Sequence, residues 1–283
     1  MAYRTLQVEI RNGIGIVWMN RPKELNSLTE AMIAEMTAAM RALDEDPRVR
    51  IVVLAGAGES FCVGADIDRT ERLAEGAPAR NRADALAFAT LLATIDSLQK
   101  PTVARIHGPV SCDGVGLVAV CDIAVAEHGA EFCLSDVRMG LIPAVVAPYV
   151  VRAMGERAAR RYLLTGEPFT AAEAYRTGLI NDLTPPGEID GWINDLLGHL
   201  IQGGPKAQVQ TKEWVRTLAG LPVTADLSTA SAERLARVRG SAEGREGIGA
   251  FLKKRTPAWL KEKKPAAGKK APAKTGAKAK HGR

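Results

Sequence analysis

The stretch Arg105-Ile-His-Gly-Pro-Val-Ser-Cys-Asp-Gly-Val-Gly-Leu-Val-Ala-Val-Cys-Asp122 constrains this chain more than any other. It reads as a strand that ends in a glycine-punctuated turn and runs directly into a buried helix. Glycines between a strand and a helix mark places where backbone amides approach something closely. Ser60-Phe-Cys-Val-Gly-Ala-Asp-Ile67 carries a similar arrangement earlier in the chain. Two such turns can aim two amide donors at one oxygen. An α/β fold built around an oxyanion hole is the expectation.

The flanking pattern fits. Leu6, Val8 and Ile10 alternate, Gly13 breaks the run, and residues 14–19 are apolar, which predicts a hairpin. Leu28, Met32, Met36, Met40 and Leu43 lie on one helical face, capped near Ser27 or Thr29. The β-branched run at 49–54 has the character of a buried parallel strand. Residues 68–82 are polar, with Gly76 and Pro78, and are read as a mobile segment beside the site. Leu86, Phe88, Ala89, Leu92, Ile95 and Leu98 predict the next helix, and 102–106 the next strand. Further strands are expected at 122–126, 131–134 and 179–183, with helices near 156–164 and from Thr170 to the stop at Gly178. From about 188 to 254 only helices are indicated, broken at Gly203-Gly-Pro205 and Gly220-Leu-Pro222. The expected division is a β/α body at 1–187, a helical region at 188–260 and a tail at 261–283.

Composition excludes several classes. A chain of 283 residues, 46% hydrophobic and 25% charged, is that of a soluble globular protein. No apolar run approaches the ~18–20 residues that span a bilayer. The first residues show no apolar signal core, so a cytoplasmic location is expected. The net charge of +6 belongs to the tail, where nine Lys or Arg face the single acid Glu262. That Lys/Ala/Pro/Gly segment is expected to be disordered. Contact with nucleic acid or a plain solubilising role are both open to it. Cys62, Cys112, Cys121 and Cys133 lack CxxC spacing and read as free thiols rather than bridges or metal ligands. No dinucleotide or phosphate-loop pattern is present, so no NAD or ATP is indicated.

Several segments resemble the crotonase (enoyl-CoA hydratase/isomerase) superfamily. They are Met19-Asn-Arg-Pro-Lys-Glu-Leu-Asn-Ser-Leu28, Ser60-Phe-Cys-Val-Gly-Ala-Asp66, Lys100-Pro-Thr-Val-Ala104, Val115-Gly-Leu-Val-Ala-Val-Cys-Asp122, Gly140-Leu-Ile-Pro143 and the ending from Glu246 to Trp259. They fall in order over residues 4–260. The segments at 133–143 and 152–161 most resemble bacterial methylglutaconyl-CoA hydratase-like members. The resemblance implies an α/β spiral of ββα units (the ClpP/crotonase fold). It also implies a C-terminal helical region that drives homotrimers, often dimers of trimers. The implied ligand is an acyl-CoA, with coenzyme A entering as part of the substrate and no separate cofactor or metal. By the same resemblance, Glu24, Leu25, Asn26, Ala65, Asp66, Ile67, Asp68, Gly114 and Pro143 contact substrate or CoA. Phe251 and Lys254 would reach the CoA of a neighbouring subunit.

The resemblance also assigns the chemistry. A thioester reacting through an enolate develops negative charge on its carbonyl oxygen, which two preorganised N–H groups stabilise. These map to Ala65 and Asp113. Relatives with two catalytic glutamates carry them at the positions of Gly116 and Asp136, so Asp136 is the remaining acid/base candidate. Asp113 stands where the family has glycine. Three readings are open: it caps the following helix and leaves the hole usable, it damages the site, or it takes a catalytic role beside Cys112. A nucleophilic triad of His107, Ser111 and Asp113 is a further arrangement, crowded into one turn. Two functions follow: an enoyl-CoA hydratase or isomerase, or an acyl-CoA-binding member with a degenerate site.

Overall fold

A computed structural model describes residues 3–260 of the chain. The basic tail, and the expectations for it, lie outside the described residues.

The elements run β1 (Leu6–Arg11), β2 (Ile14–Met19), α1 (Glu30–Glu45), β3 (Ile51–Gly56), α2 (Ile67–Ala74), α3 (Pro78–Ser97), β4 (Thr102–Ile106), β5 (Pro109–Ser111) and α4 (Asp113–Ala119). They continue with β6 (Ile123–Glu127), β7 (Glu131–Cys133), α5 (Ala147–Thr165), β8 (Phe169–Thr170), α6 (Ala171–Thr177) and β9 (Asp182–Thr184). Four helices close the described chain: α7 (Ile189–Gln202), α8 (Pro205–Leu218), α9 (Ala225–Gly240) and α10 (Ala242–Leu252).

The main sheet has six strands in the order β1-β2-β3-β4-β6-β9. The β1–β2 hairpin is antiparallel and the remaining pairs are parallel. A smaller sheet, β5-β7-β8, stands at its C-terminal side and carries the second turn. Strand β3 is buried along its whole length, as its unbroken apolar run demands. Its alternation sorts the two faces. Val52 and Leu54 join the large core beneath α1 and α3, while Ile51 and Val53 join Ile189, Ile193 and Leu197 of α7 on the other face.

Helix α1 follows the predicted face. The Thr29 hydroxyl accepts from the Met32 N–H at 3.1 Å and starts it, and Met32, Met36, Met40 and Leu43 are buried. Burying each such side chain stabilises by roughly 1.5–3 kcal/mol.

The polar stretch at 68–82, read as a mobile segment, is helical on both sides of a short turn at 75–77. Asp66 caps α2 by accepting from the Asp68 N–H at 3.2 Å, and Pro78 opens α3 with its φ already suited to a first turn. Polarity there marks exposed faces around one buried cation, Arg69. The helix expected at 156–164 begins at Ala147, two helical pieces meeting at Gly155 (φ 76°). Leu179 and Ile180 are buried but belong to the turn after Gly178, and the last strand is Asp182–Thr184. No described helix is long and apolar enough to cross a membrane.

Candidate active site

The first turn leaves β3 and returns to α2. Gly64 has φ 94°, a left-handed angle that glycine takes without strain. Leu28 holds the turn from outside: its N–H donates to Gly64 O at 2.7 Å, and its carbonyl accepts from the Asp66 N–H at 3.1 Å. Ala65, between them, is exposed.

The second turn is bolted to the first. The Ser111 N–H donates to Cys62 O at 2.9 Å, and Val110 pairs with Cys62. A Cβ built on Gly64 would lie 3.1 Å from Cys112 Cβ, 3.1 Å from Ser111 O and 3.6 Å from Asp113 N. Gly114 sits so close to the Cys62 carbonyl oxygen that a Cβ there would overlap it. Its glycine serves this approach of backbone to backbone. Cys112 connects β5 to α4 at φ 46°, ψ −112°, a region that side-chain-bearing residues rarely adopt. The Cys112 N–H donates to Cys133 O at 2.8 Å, which fixes the strained residue to the end of β7. Among the described residues, neither the Ala65 N–H nor the Asp113 N–H has an acceptor.

Asp136 arrives beside this turn through the β5–β7 pairing, which aligns Ser111 with Cys133. It opens a single 3-10 turn, Asp136–Met139. Its Oδ2 is fully buried and has no hydrogen-bond partner among the described residues. Burial, with the Asp136 carboxylate adding to it, pushes the Cys112 thiol up to about 11, and its Sγ lies 3.4 Å from Ser135 Oγ. Cys112 is therefore a neutral, inert thiol near neutral pH.

Asp113 does not cap α4. Cys112 occupies the cap position without a side-chain hydrogen bond, and Asp113 is the first helical residue. Its carboxylate turns instead to Arg69 on α2, with Oδ2 3.1 Å from Nη1. Arg69 is 4% exposed and also grips Asp84 of α3 at 2.7 Å and 2.8 Å. Burial raises the Asp113 carboxyl above its ordinary value; Arg69 opposes the shift, and the carboxylates of Asp136 and Asp84 reinforce it.

Gly116 faces Val146 and Leu92, and a Cβ there would overlap Val146 Cγ1. The space that a second acid would occupy is filled with hydrocarbon.

The other residues expected to contact substrate divide. Ile67 is 75% exposed and Asp68 is exposed, both beside Ala65. Leu25 is exposed and Pro143 half-buried. Glu24 ends an exposed 3-10 turn. Asn26 is wholly buried and acts as a staple: its side-chain amide donates to Ala57 O and Ser60 O, each at 2.8 Å. Asp66 is likewise engaged, 2.9 Å from Arg21 and 3.0 Å from Ser27 Oγ. Burial works against its charge, yet those hydrogen bonds hold its carboxyl below the ordinary range. Phe251 and Lys254 lie at the end of α10, whose main packing partners are α8 and α9, and Phe251 is 82% exposed. His107 uses both ring nitrogens, towards Arg105 at 3.1 Å and Gly58 O at 2.8 Å, so it is not poised as a base for Ser111. Arg69 falls in the stretch 68–82 read as lying beside the site without being singled out, and no sequence signal points to Asp84.

Residues 9–263 match the model of the family described as enoyl-CoA hydratase/isomerase. The chain belongs to the enoyl-CoA hydratase/isomerase family. A Thermus thermophilus relative, whose enoyl-CoA hydratase designation is itself provisional, is 34% identical over 88% of this chain and 99% of its own length. A crotonyl-CoA hydratase from Syntrophomonas wolfei is 28% identical over 90% of this chain and 97% of its own. The crystal structure of an enoyl-CoA hydratase from Shewanella pealeana superposes with a TM-score of 0.88 at 34% identity, covering 90% of this chain and 96% of that one. The mixed parallel sheet with its flanking helices is thus the crotonase fold.

Proposed function

We propose that this member of the enoyl-CoA hydratase/isomerase family adds water to a 2-enoyl-CoA thioester, using Asp136 as acid/base and the Ala65 and Asp113 N–H groups as the oxyanion hole. One observation carries the reading: two partnerless N–H groups stand on adjoining turns, with the partnerless buried oxygen of Asp136 beside the second. Water attacks the β-carbon while Asp136 takes its proton, and the enolate charge collects on the thioester oxygen between the two donors. Asp136 then delivers that proton to the α-carbon, so the sum is one added water and no redox change. Coenzyme A enters with the substrate, and no separate cofactor takes part in this route.

The supporting surface is apolar. Ile67, Leu86, Met139, Leu141 and Ile142 are exposed, on segments that flank the turns, and would line the acyl chain's path. The finer likeness to methylglutaconyl-CoA hydratase-like members belongs to the same proposal. So does a division into a body at 1–187 and a helical region at 188–260 that assembles homotrimers or dimers of trimers. Among the described residues α8 and α9 bury nothing and α10 buries only Ala250, while Val215, Val223, Leu235, Ile248, Phe251 and Leu252 face outward.

A second reading has its own observation. With Val146 filling the space beside Gly116 and Asp113 standing at the second turn, the site fits an acyl-CoA-binding protein with little turnover. Hydration of a panel of short 2-enoyl-CoA thioesters, followed by loss of the conjugated absorbance, separates the two. Asp136→Ala is expected to cost about 100-fold or more, within the range of general acid–base catalysis. An unchanged rate removes Asp136 as the catalyst. An inactive wild type whose Asp113→Gly variant gains turnover favours the degenerate site.

A further inference from the structure

The family reading assigns no task to Arg69. We propose that Arg69 is a positioning residue: its guanidinium holds the Asp113 carboxylate to one side of the second turn and compensates its charge, so that the Asp113 N–H stays available to the thioester oxygen. The inference rests on the oxyanion-hole reading above and gives that hole a device that no glycine-based turn needs.

Three observations carry it. The first is connectivity. Arg69 lies in α2, which the first turn starts, and Asp113 is the first residue of α4, which the second turn starts. The 3.1 Å pair therefore spans the two turns that bear the two donors. The same guanidinium reaches Asp84 in α3 at 2.7 Å, and its Nη1 lies 3.5 Å from the carbonyl of Leu28, the residue that frames the first turn. A planar fork with fixed donor directions suits such a multipoint contact; a lysine ammonium does not.

The second is direction. A carboxylate in the first turn of a helix is favoured by the helix dipole. That alone leaves it free to swing towards the oxygen it would repel. With Oδ2 on Arg69, the carboxylate points into the protein towards α2 and α3.

The third is charge. The groups facing Asp113 are Arg69 from α2, Asp84 from α3, Asp136 from the 3-10 turn, and the thiols of Cys112 and Cys62. Arg69 is the one cation among these groups, and it pairs with Asp84 and Asp113 while Asp136 adds its charge to theirs. Without it, an ionised Asp113 would lie unpaired beside the N–H on which the enolate charge is to rest. Buried ion pairs often serve architecture alone, so the test must separate that role from control of the hole.

The probe is a cinnamoyl-CoA thioester with an electron-donating ring substituent, whose absorption band moves to the red when its carbonyl oxygen is polarised. Band position involves no proton transfer and is read from pH 6 to 9, alongside kcat and KM for a short 2-enoyl-CoA. In Arg69→Met, burial and the neighbouring carboxylates keep Asp113 protonated to higher pH than in the wild type. The red shift should survive while Asp113 is neutral and disappear as it ionises. At the alkaline end kcat should fall by about 100-fold, the scale of a misplaced reacting group, with KM little changed. The double variant Arg69→Met/Asp113→Gly should restore the red shift and abolish its pH dependence. Arg69→Lys keeps the charge without the fork and should show a partial loss that Asp113→Gly also repairs. It serves as the test if Arg69→Met does not fold.

A wild-type red shift in Arg69→Met that persists after Asp113 has ionised, its carboxylate followed by difference infrared spectroscopy, overturns the proposal. So does a loss that is independent of pH and indifferent to Asp113→Gly, since that is the signature of architecture alone. A wild type that shifts the probe but hydrates nothing defeats the hydratase reading and leaves the clamp standing. A wild type that does not shift the probe defeats both.

Discussion

The two turns that carry the proposed donors reach similar placements by opposite means. The first uses composition: Gly64 sits at φ 94° with no side chain to resist it. The second uses force. Cys112 is held at φ 46° by hydrogen bonds on both sides and by the bolt from Cys62 to β5. Beyond it, Asp113 carries a carboxylate that needs a partner on another helix. The first turn meets its left-handed angle with glycine, whereas the second meets it with Cys112 and draws on residues from α2, α3 and β7.

The largest effect is expected where the two turns touch. Gly114→Ala puts a Cβ into the Cys62 carbonyl oxygen, and backbone cannot yield as a flexible side chain would. A shift of about 1 Å at the hole costs about 100-fold in kcat, so hydration rates should fall at least that far and the melting temperature with them. Retained activity would mean that the turns are not rigidly apposed.

Gly64→Ala comes next. It forces a left-handed residue, at about 1–2 kcal/mol, and presses on Cys112 Cβ and Ser111 O at 3.1 Å. Denaturant unfolding should show that loss, with roughly tenfold lower kcat if the strain is passed to the donor, a factor equal to about 1.4 kcal/mol.

Cys112→Gly tests the comparison from the other side, since it makes the second turn resemble the first. Relief of backbone strain should raise stability by about 1 kcal/mol, at the low end of such strain, with activity retained. A destabilised variant would show that the thiol's contact with Ser135 outweighs the strain.

The last effect concerns protons rather than a substitution. Burial first, then neighbouring acidic groups, pushes Cys112 up to about 11 and Cys62 and Cys121 up to about 12. In an unfolded chain these thiols ionise near the ordinary 9.0. Below that value they are neutral in both states and contribute their full stability. Between 9 and 12 the unfolded chain loses its protons first, so stability should decline as pH rises. Urea unfolding at pH 8 and pH 10 measures the decline, and mass spectrometry should find these three thiols slow to alkylate at pH 8.

The difference between the turns also explains what the sequence made legible. The β3 run and the α1 face announce themselves because each residue's environment repeats at a fixed period. The first turn around Gly64 announces itself for a similar reason, through a local pattern of glycine after a strand and before a helix, while Ala65 is singled out only by the resemblance to the family. The setting of Asp113 was not legible, because its partner is 44 residues away in a stretch whose polarity reads as a mobile segment. Helix α2 was missed with it: a single inward Arg does not register as a hydrophobic face. The strands β5 and β8, three and two residues long, are too short to display a period.

Val146 has a consequence for how this chain could change over time. Its methyl group stands where the first carbon of any side chain at position 116 would go. A Gly116→Glu substitution alone would meet a collision before it met a substrate. Trimming Val146 first would leave a void in a buried helix junction with nothing yet to fill it. Each single step is uphill, and only the two changes together relieve the collision and fill the space. A two-glutamate arrangement is therefore opposed by packing, whatever the chemistry might favour.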